Sequence, residues 1–242
     1  MPSSIIKNFT EAFSGVTNLF FPLYCASCNA NISKKCFPVC SDCRESISYI
    51  SGLEVFDDIA CHEINGYFSI GLYEGVLKQL IAGFKYHKKT YLAPFFAREL
   101  TERFKRCISF NINPLSNFDV IVPVPLHKSK LKTRGFNQSE LLASEIGKIT
   151  GLEVCADAVN RKKETREQNK LHYKERFKNV EDAFEINYKN ICQIKSKNVI
   201  IIDDIITTAA TVKSLARLFK KHGALDIFVL SAARTVAGAK TP

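Results

Sequence analysis

The stretch Val199-Ile-Ile-Ile-Asp203-Asp204-Ile-Ile-Thr207-Thr208-Ala209-Ala210-Thr211 sets two adjacent carboxylates directly before a run of small and hydroxyl residues. It reads as an apolar strand, an acid pair at its carboxyl end, a tight loop and the start of a helix. In an open α/β sheet, ligands bind at the carboxyl ends of the strands. A helix N-terminus after such a loop offers backbone N–H groups and the positive end of the helix dipole, which suits a phosphate. Thr207, Thr208 and Thr211 add hydroxyl donors, with Ala209 and Ala210 between them. Asp203 and Asp204 cannot hold a phosphate, but they can accept hydrogen bonds from the vicinal hydroxyls of a sugar. An Asp pair alone is more often a solvated strand end beside a threonine helix cap. The whole pattern instead describes a cradle for a ribose 5-phosphate.

A second constellation lies near the N-terminus. Cys25-x2-Cys28 and Cys40-x2-Cys43 are two pairs separated by eleven residues. Four thiolates at this spacing close a tetrahedral metal site; zinc and an iron–sulfur cluster are both compatible with the spacing. A closed four-ligand site is structural rather than catalytic. The segment is short, polar and rich in turn formers, so it cannot build its own apolar core and needs such a staple. Cys36, Cys61 and His62 are spare ligand types nearby. With nine cysteines, an odd number, the chain does not read as a closed disulfide framework.

The net charge of +10 is unevenly placed. The stretch from Phe84 to Arg106 contributes +5 and that from Lys128 to Lys178 contributes +6, leaving the rest of the chain slightly acidic. Such blocks are solvated helix faces or the footprint of an anionic partner, nucleic acid or a phosphorylated small molecule. Hydrophobic residues at 46% and charged residues at 24% are globular usage and exclude a disordered chain. No apolar run approaches the roughly 20 residues of a membrane helix, so membrane insertion is not expected. Residues 1–10 lack the basic and apolar parts of a signal peptide. The cytosol, where thiols stay reduced, is the expected compartment.

The elements that must position these residues follow from periodicity. Ile5, Phe9, Phe13, Val16 and Phe20 predict an amphipathic helix ending before Pro22. Beyond a linker at 51–63 the pattern becomes α/β. Strands are predicted at 67–73, 118–124, 199–202 and 225–230. Helices are predicted at 74–86, with Val76, Leu80 and Phe84 on one face, at 91–107, from a capping pair Asn137 and Glu140 to about Gly151, and at 209–222 before Gly223. Residues 160–180 are highly charged and read as a long loop or hairpin arm. Alternating strands and helices predict an α/β fold with a mostly parallel, doubly wound sheet. The expected division is a helix and metal-binding knuckle over 1–63 and the α/β domain over 64–242.

The phosphate-loop segment resembles the PRPP-binding motif of type I phosphoribosyltransferases. Further runs resemble the ComF family of competence proteins: Asn18-Leu-Phe-Phe-Pro22-Leu-Tyr-Cys25-Ala-Ser-Cys28, Phe84-Lys85-Tyr86, Val122-Pro123-Val124-Pro125-Leu126-His127, Arg134-Gly135-Phe136-Asn137-Gln138 and the arm from Arg161 through Gln168 to Arg176 and Asn179. Two features depart from the family. Ala209 stands where a glycine is usual in the phosphate loop, and the cysteine region is shorter than the two-ribbon form. An alanine fits the loop with a negative φ but crowds a phosphate.

The resemblance implies a sheet of phosphoribosyltransferase type and a ligand, PRPP, arriving with Mg²⁺ on its own oxygens. It implies structural Zn²⁺ on Cys25, Cys28, Cys40 and Cys43. Asp203 and Asp204 would be the catalytic pair on the ribose hydroxyls. Residues Thr207 to Thr211 would hold the 5-phosphate, Lys128 and Arg134 the pyrophosphate, and the 161–176 arm would close over the site. It further implies a role in DNA uptake, with single-stranded DNA and proteins of the uptake machinery as partners. Two alternatives stand beside this: a PRPP-dependent transferase acting on a base or amine without a DNA role, and a single-strand-binding or scaffold protein with a degenerate PRPP site.

Overall fold

The computed structural model describes residues 22–52, 62–107, 114–162 and 183–235. The predicted N-terminal helix and most of the charged arm lie outside these residues. The chain divides into two compact units, 1–47 and 48–242.

In the first unit, β1 (Leu23–Tyr24) pairs antiparallel with β2 (Asn31–Ile32), and a short helix, α1 (Ser41–Glu45), follows. Among its described residues, Cys25, Ile32, Val39, Cys43 and Ile47 are buried.

The second unit is built on a five-stranded parallel sheet with the order β3 (Gly66–Leu72), β9 (Ile227–Arg234), β8 (Val199–Ile206), β4 (Val120–Pro123) and β5 (Glu153–Val154). The α/β, doubly wound fold expected from the sequence is the one observed. Central parallel strands are buried on both faces and so are apolar throughout. Residues Val199 to Ile202 are fully buried. Alternate side chains serve opposite layers. Val120, Val199, Ile201, Ile227 and Val229 share one core with Val212, Leu215 and Phe219 of α6 (Ala210–Lys221). On the other face, Phe228 meets Phe104 of α3 (Ala93–Cys107) with ring centroids 5.0 Å apart. α5 (Gln138–Thr150) covers β4 and β8 beside α3. Helix α2 (Gly75–Tyr86) buries Leu77, Leu80, Ile81 and Phe84, while Val76 of the predicted face is only half-buried.

Other expectations shift in extent. α3 begins at Ala93 after a 3₁₀ turn at Thr90–Leu92. β8 runs to Ile206 rather than stopping at Ile202, because β9 pairs with it as far as Ile206↔Arg234 while β4 stops at Pro123↔Ile202. Besides the two-residue strands β1, β2 and β5, the periodicity missed β6 (Val159–Arg161) and β7 (Phe184–Ile186), which pair antiparallel and bracket the charged arm. At three residues each they are too short for a pattern to register. A last short helix, α4 (Lys128–Arg134), follows β4.

Candidate functional site

The acid pair sits where β8 outruns one neighbour. β4 has ended one residue earlier, so Asp203 and Asp204 lie at the open edge above it while β9 still braces them from the other side. Asp203 Oδ1 accepts from the Asp204 backbone N–H at 2.8 Å and from Ser139 Oγ at 3.2 Å. Ser139 is placed there by the first turn of α5, which Asn137 caps: its Oδ1 accepts from Ser139 N at 3.1 Å and its Nδ2 donates to Val124 O at 3.1 Å. Asp204 is held from α2, whose last turn places Lys85 Nζ 2.9 Å from Asp204 Oδ1.

The two acids differ in electrostatics. Loss of hydration and the neighbouring Asp204 charge push Asp203 up to about 7, against the pull of Lys85, the Asp204 N–H and the Ser139 hydroxyl. Burial works to lower Lys85, but the Asp204 carboxylate outweighs it and the group ends above its ordinary value. Arg161, at the end of β6, feels the Asp203 charge; loss of hydration dominates and draws it below its usual value. Its guanidinium lies 5.3 Å from the centre of the Phe184 ring on β7, so the two strands of the stem fix it together.

Beyond β8, Thr207, Thr208 and Ala209 form the loop into α6. Ala209 takes φ 55° and ψ 4°, the left-handed conformation a glycine would adopt freely, not the negative φ under which an alanine fits best. α6 has no side-chain cap on its first turn, which leaves those N–H groups to a ligand or to water. Asp203, Thr207, Ala209 and Thr211 line one pocket. The loop and the acid pair are thus contiguous in space as in sequence.

The basic residues expected at a pyrophosphate divide. Arg134 is half-buried; its Nη1 donates to Gln138 Oε1 at 3.2 Å and its guanidinium carbon lies 5.1 Å from the centre of the Tyr86 ring. Since Tyr86 follows Lys85, Arg134 is tied to the acid pair through α2. Lys128 is exposed at the start of α4, whose first turn is capped by His127 Nδ1 accepting from Ser129 N at 3.3 Å.

Lys85 and Ser139 are residues the sequence reading did not assign to the site, and Arg161 was placed only within the arm expected to cover it. The run Phe84-Lys85-Tyr86 is the available signal for Lys85. Ser139 follows the Arg134–Gln138 run directly.

In the first unit the sulfurs of Cys25, Cys28, Cys40 and Cys43 lie within 4.8 Å of one another, so these four residues can hold a metal ion. A tetrahedral site with Zn–S bonds of about 2.3 Å has S···S edges of about 3.8 Å. Cys28 Sγ and Cys40 Sγ are 3.7 Å apart. Backbone N–H groups of Cys40 and Cys43 donate to Cys25 Sγ and Cys40 Sγ, each at 3.4 Å, an arrangement that favours thiolates. Cys36 is exposed and outside this cluster.

No protein-family model matches the chain. It is 28% identical over 214 residues to competence protein F of Haemophilus influenzae, covering 87% of this chain and 90% of that protein. It is 28% identical over 156 residues to competence protein ComFC of Bacillus subtilis, covering 64% of this chain and 58% of that protein. It is 32% identical over 118 residues to DNA utilization protein YhgH of Escherichia coli K12, covering 49% of this chain and 50% of that protein. Among solved structures, a hypoxanthine-guanine phosphoribosyltransferase from Bacillus anthracis matches 64% of this chain and 75% of its own, at 16% identity and TM-score 0.36. The PRPP amidotransferase of B. subtilis matches 59% of this chain but 25% of its own, at 15% identity and TM-score 0.36. Among the described residues, no helix is long and apolar enough to cross a membrane.

Proposed function

We propose that this homologue of the ComF-type competence proteins binds Mg-PRPP and supports DNA uptake in natural competence, as a cytosolic protein. The observation that carries the PRPP reading is the sequence of parts at the end of β8: an acid pair at the sheet edge, a loop with a left-handed residue, and a helix start without a side-chain cap. The names of the relatives support the role in DNA uptake.

In this reading Asp203 and Asp204 accept hydrogen bonds from the ribose 2′ and 3′ hydroxyls. The N–H groups and hydroxyls from Thr207 to Thr211 hold the 5-phosphate. Arg134 binds the pyrophosphate bidentately and Lys128 acts as a point charge beside it. Bound with PRPP, Mg²⁺ would neutralise pyrophosphate charge. It prefers hard oxygens and keeps its waters, and Asp204 is already paired with Lys85, so the phosphate oxygens are its natural ligands. Were the ribose to react at C1, the fixed carboxylates would favour the developing positive charge by electrostatic preorganisation. Cys25, Cys28, Cys40 and Cys43 would hold Zn²⁺ as a structural ion.

A second reading, single-stranded DNA as partner, is favoured by Tyr86. Tyr86 is 60% exposed, with the Arg134 guanidinium over its ring, and an exposed aromatic among cations is a stacking platform for a base. Its affinity would fall steeply with salt as counterions are released.

The test is a calorimetric titration with Mg-PRPP. The unaltered chain binds and the Asp203→Asn/Asp204→Asn variant does not; equal binding by both would refute the site. A pyrophosphate-release screen of bases and amines then separates binding from turnover. Retention of a fluorescent oligonucleotide as salt is raised tests the DNA partner, and proteins of the uptake machinery can be added to the same assay.

A further inference from the structure

We infer that Lys85 is a positioning residue of this site: its ammonium group holds Asp204 as an oriented carboxylate for a ribose hydroxyl and so gives the two adjacent acids different tasks. The inference rests on the ribose-phosphate reading of the pair. Its geometry stands on its own.

Lys85 reaches Asp204 from another element. Phe84 anchors the last turn of α2 against Phe96 and Phe136, with ring centroids 5.6 and 6.1 Å away. That leaves the next residue directed at the sheet edge. The Lys85 and Asp204 side chains are only 14% and 13% exposed, and Nζ lies 2.9 Å from Oδ1. A lysine is seldom buried unless it is paired, and a pair this little exposed is screened far less than a surface one.

Among the described residues, the groups facing the acid pair come from three other elements. Lys85 comes from α2, with Tyr86 of the same helix acting on Lys85, the neutral Ser139 from α5 and Arg161 from β6; Asp203 and Asp204 are neighbours on β8. Lys85 makes an ion pair with Asp204, whereas Asp203 accepts from a hydroxyl and a backbone N–H. Two like charges on adjacent residues oppose each other's ionisation. Lys85 thus makes Asp204 the paired, fixed carboxylate, while burial beside it pushes the Asp203 carboxyl up to about 7. One carboxylate is then a fixed acceptor, and the other can exchange a proton near neutral pH.

The experiment compares the unaltered chain with Lys85→Met, Lys85→Gln and Lys85→Arg. Glutamine keeps a donor to Asp204 without the charge, should methionine prevent folding. Titration of ¹³C-labelled aspartate carboxyls by NMR, without PRPP, reads the pair directly. Its lowest neutral-range midpoint should rise by about one pH unit or more in the uncharged variants and stay in place with arginine. Calorimetry with Mg-PRPP from pH 6 to 9 should show about tenfold weaker binding in the uncharged variants at pH 7, recovering toward pH 9, with arginine close to the unaltered chain. An unchanged NMR midpoint, or binding lost equally at every pH, overturns the role of Lys85. A midpoint that moves in a chain that binds no PRPP leaves the role of Lys85 intact and refutes the ribose-phosphate reading.

Discussion

Replacing Asp203 with asparagine isolates the energetic strain within the acid pair. The folded protein holds this carboxyl up to about 7, against an ordinary value of 3.8. Between those pH values the folded state carries a proton that the unfolded state has lost. Folded protein therefore binds more protons than unfolded, and stability falls as pH rises through the window. Below about pH 4 both states are protonated and the group contributes nothing. Above about pH 7 the whole penalty is present. At 1.36 kcal/mol per pH unit, a shift of about three units sets an upper limit of about 4 kcal/mol. Asp203 is partly exposed, so solvent relaxation lowers this, and we expect between about 1 and 4 kcal/mol. Asparagine is uncharged and its Oδ1 can keep the bonds from Ser139 and the Asp204 N–H. Urea unfolding followed by circular dichroism at pH 5, 6, 7 and 8 is the assay, because the chain has no Trp to follow. Asp203→Asn should exceed the unaltered chain in stability by a margin that grows from pH 5 to pH 8. At pH 8 that margin corresponds to several degrees in melting temperature, at about 2–4 °C per kcal/mol for a domain of this size. A margin constant across the range would refute the reasoning.

Other expectations follow from the loop into α6 and from the cysteine cluster. Ala209→Gly removes about 1–2 kcal/mol of left-handed strain, but it gives up a buried methyl and adds unfolded-state freedom, each worth about 0.5–1 kcal/mol. Stability should stay within about 1 kcal/mol by urea unfolding, while Mg-PRPP titrates more tightly. Ala209→Val sets a β-branched residue at the same φ and should lose about 2 kcal/mol or more in the same assay. Cys25→Ser or Cys40→Ser should leave purified protein with less than one zinc ion per chain by elemental analysis. A chelator should abolish the folding of the cysteine segment, which is short, polar and rich in turn formers; retained zinc or unchanged folding would count against the site.

Chemistry that lies along one stretch of chain is legible in the amino-acid sequence alone. The Asp203–Thr211 run carries its own order of strand, acids, loop and helix, and the paired cysteines carry ligand spacing. Both depend on residues adjacent in sequence. The parallel sheet is legible too, because strands buried on both faces must be apolar from end to end, as at Val199–Ile202. The stem strands β6 and β7 are not, because three residues hold too little pattern.

Which distant groups meet the acid pair is set by the packing of the elements around the sheet. Lys85 arrives from the last turn of α2, Ser139 from the first turn of α5 and Arg161 from the stem of the arm, because packing against the sheet, not spacing along the chain, brings these ends together. Pairing with β9 carried β8 through the acids to Ile206. The turn into α6 set Ala209 in a left-handed conformation. The order of residues along the chain shows which groups could bind a sugar phosphate or a metal. Through-space charges and backbone pairing decided how the two carboxylates differ, since neither is a property of neighbouring residues alone.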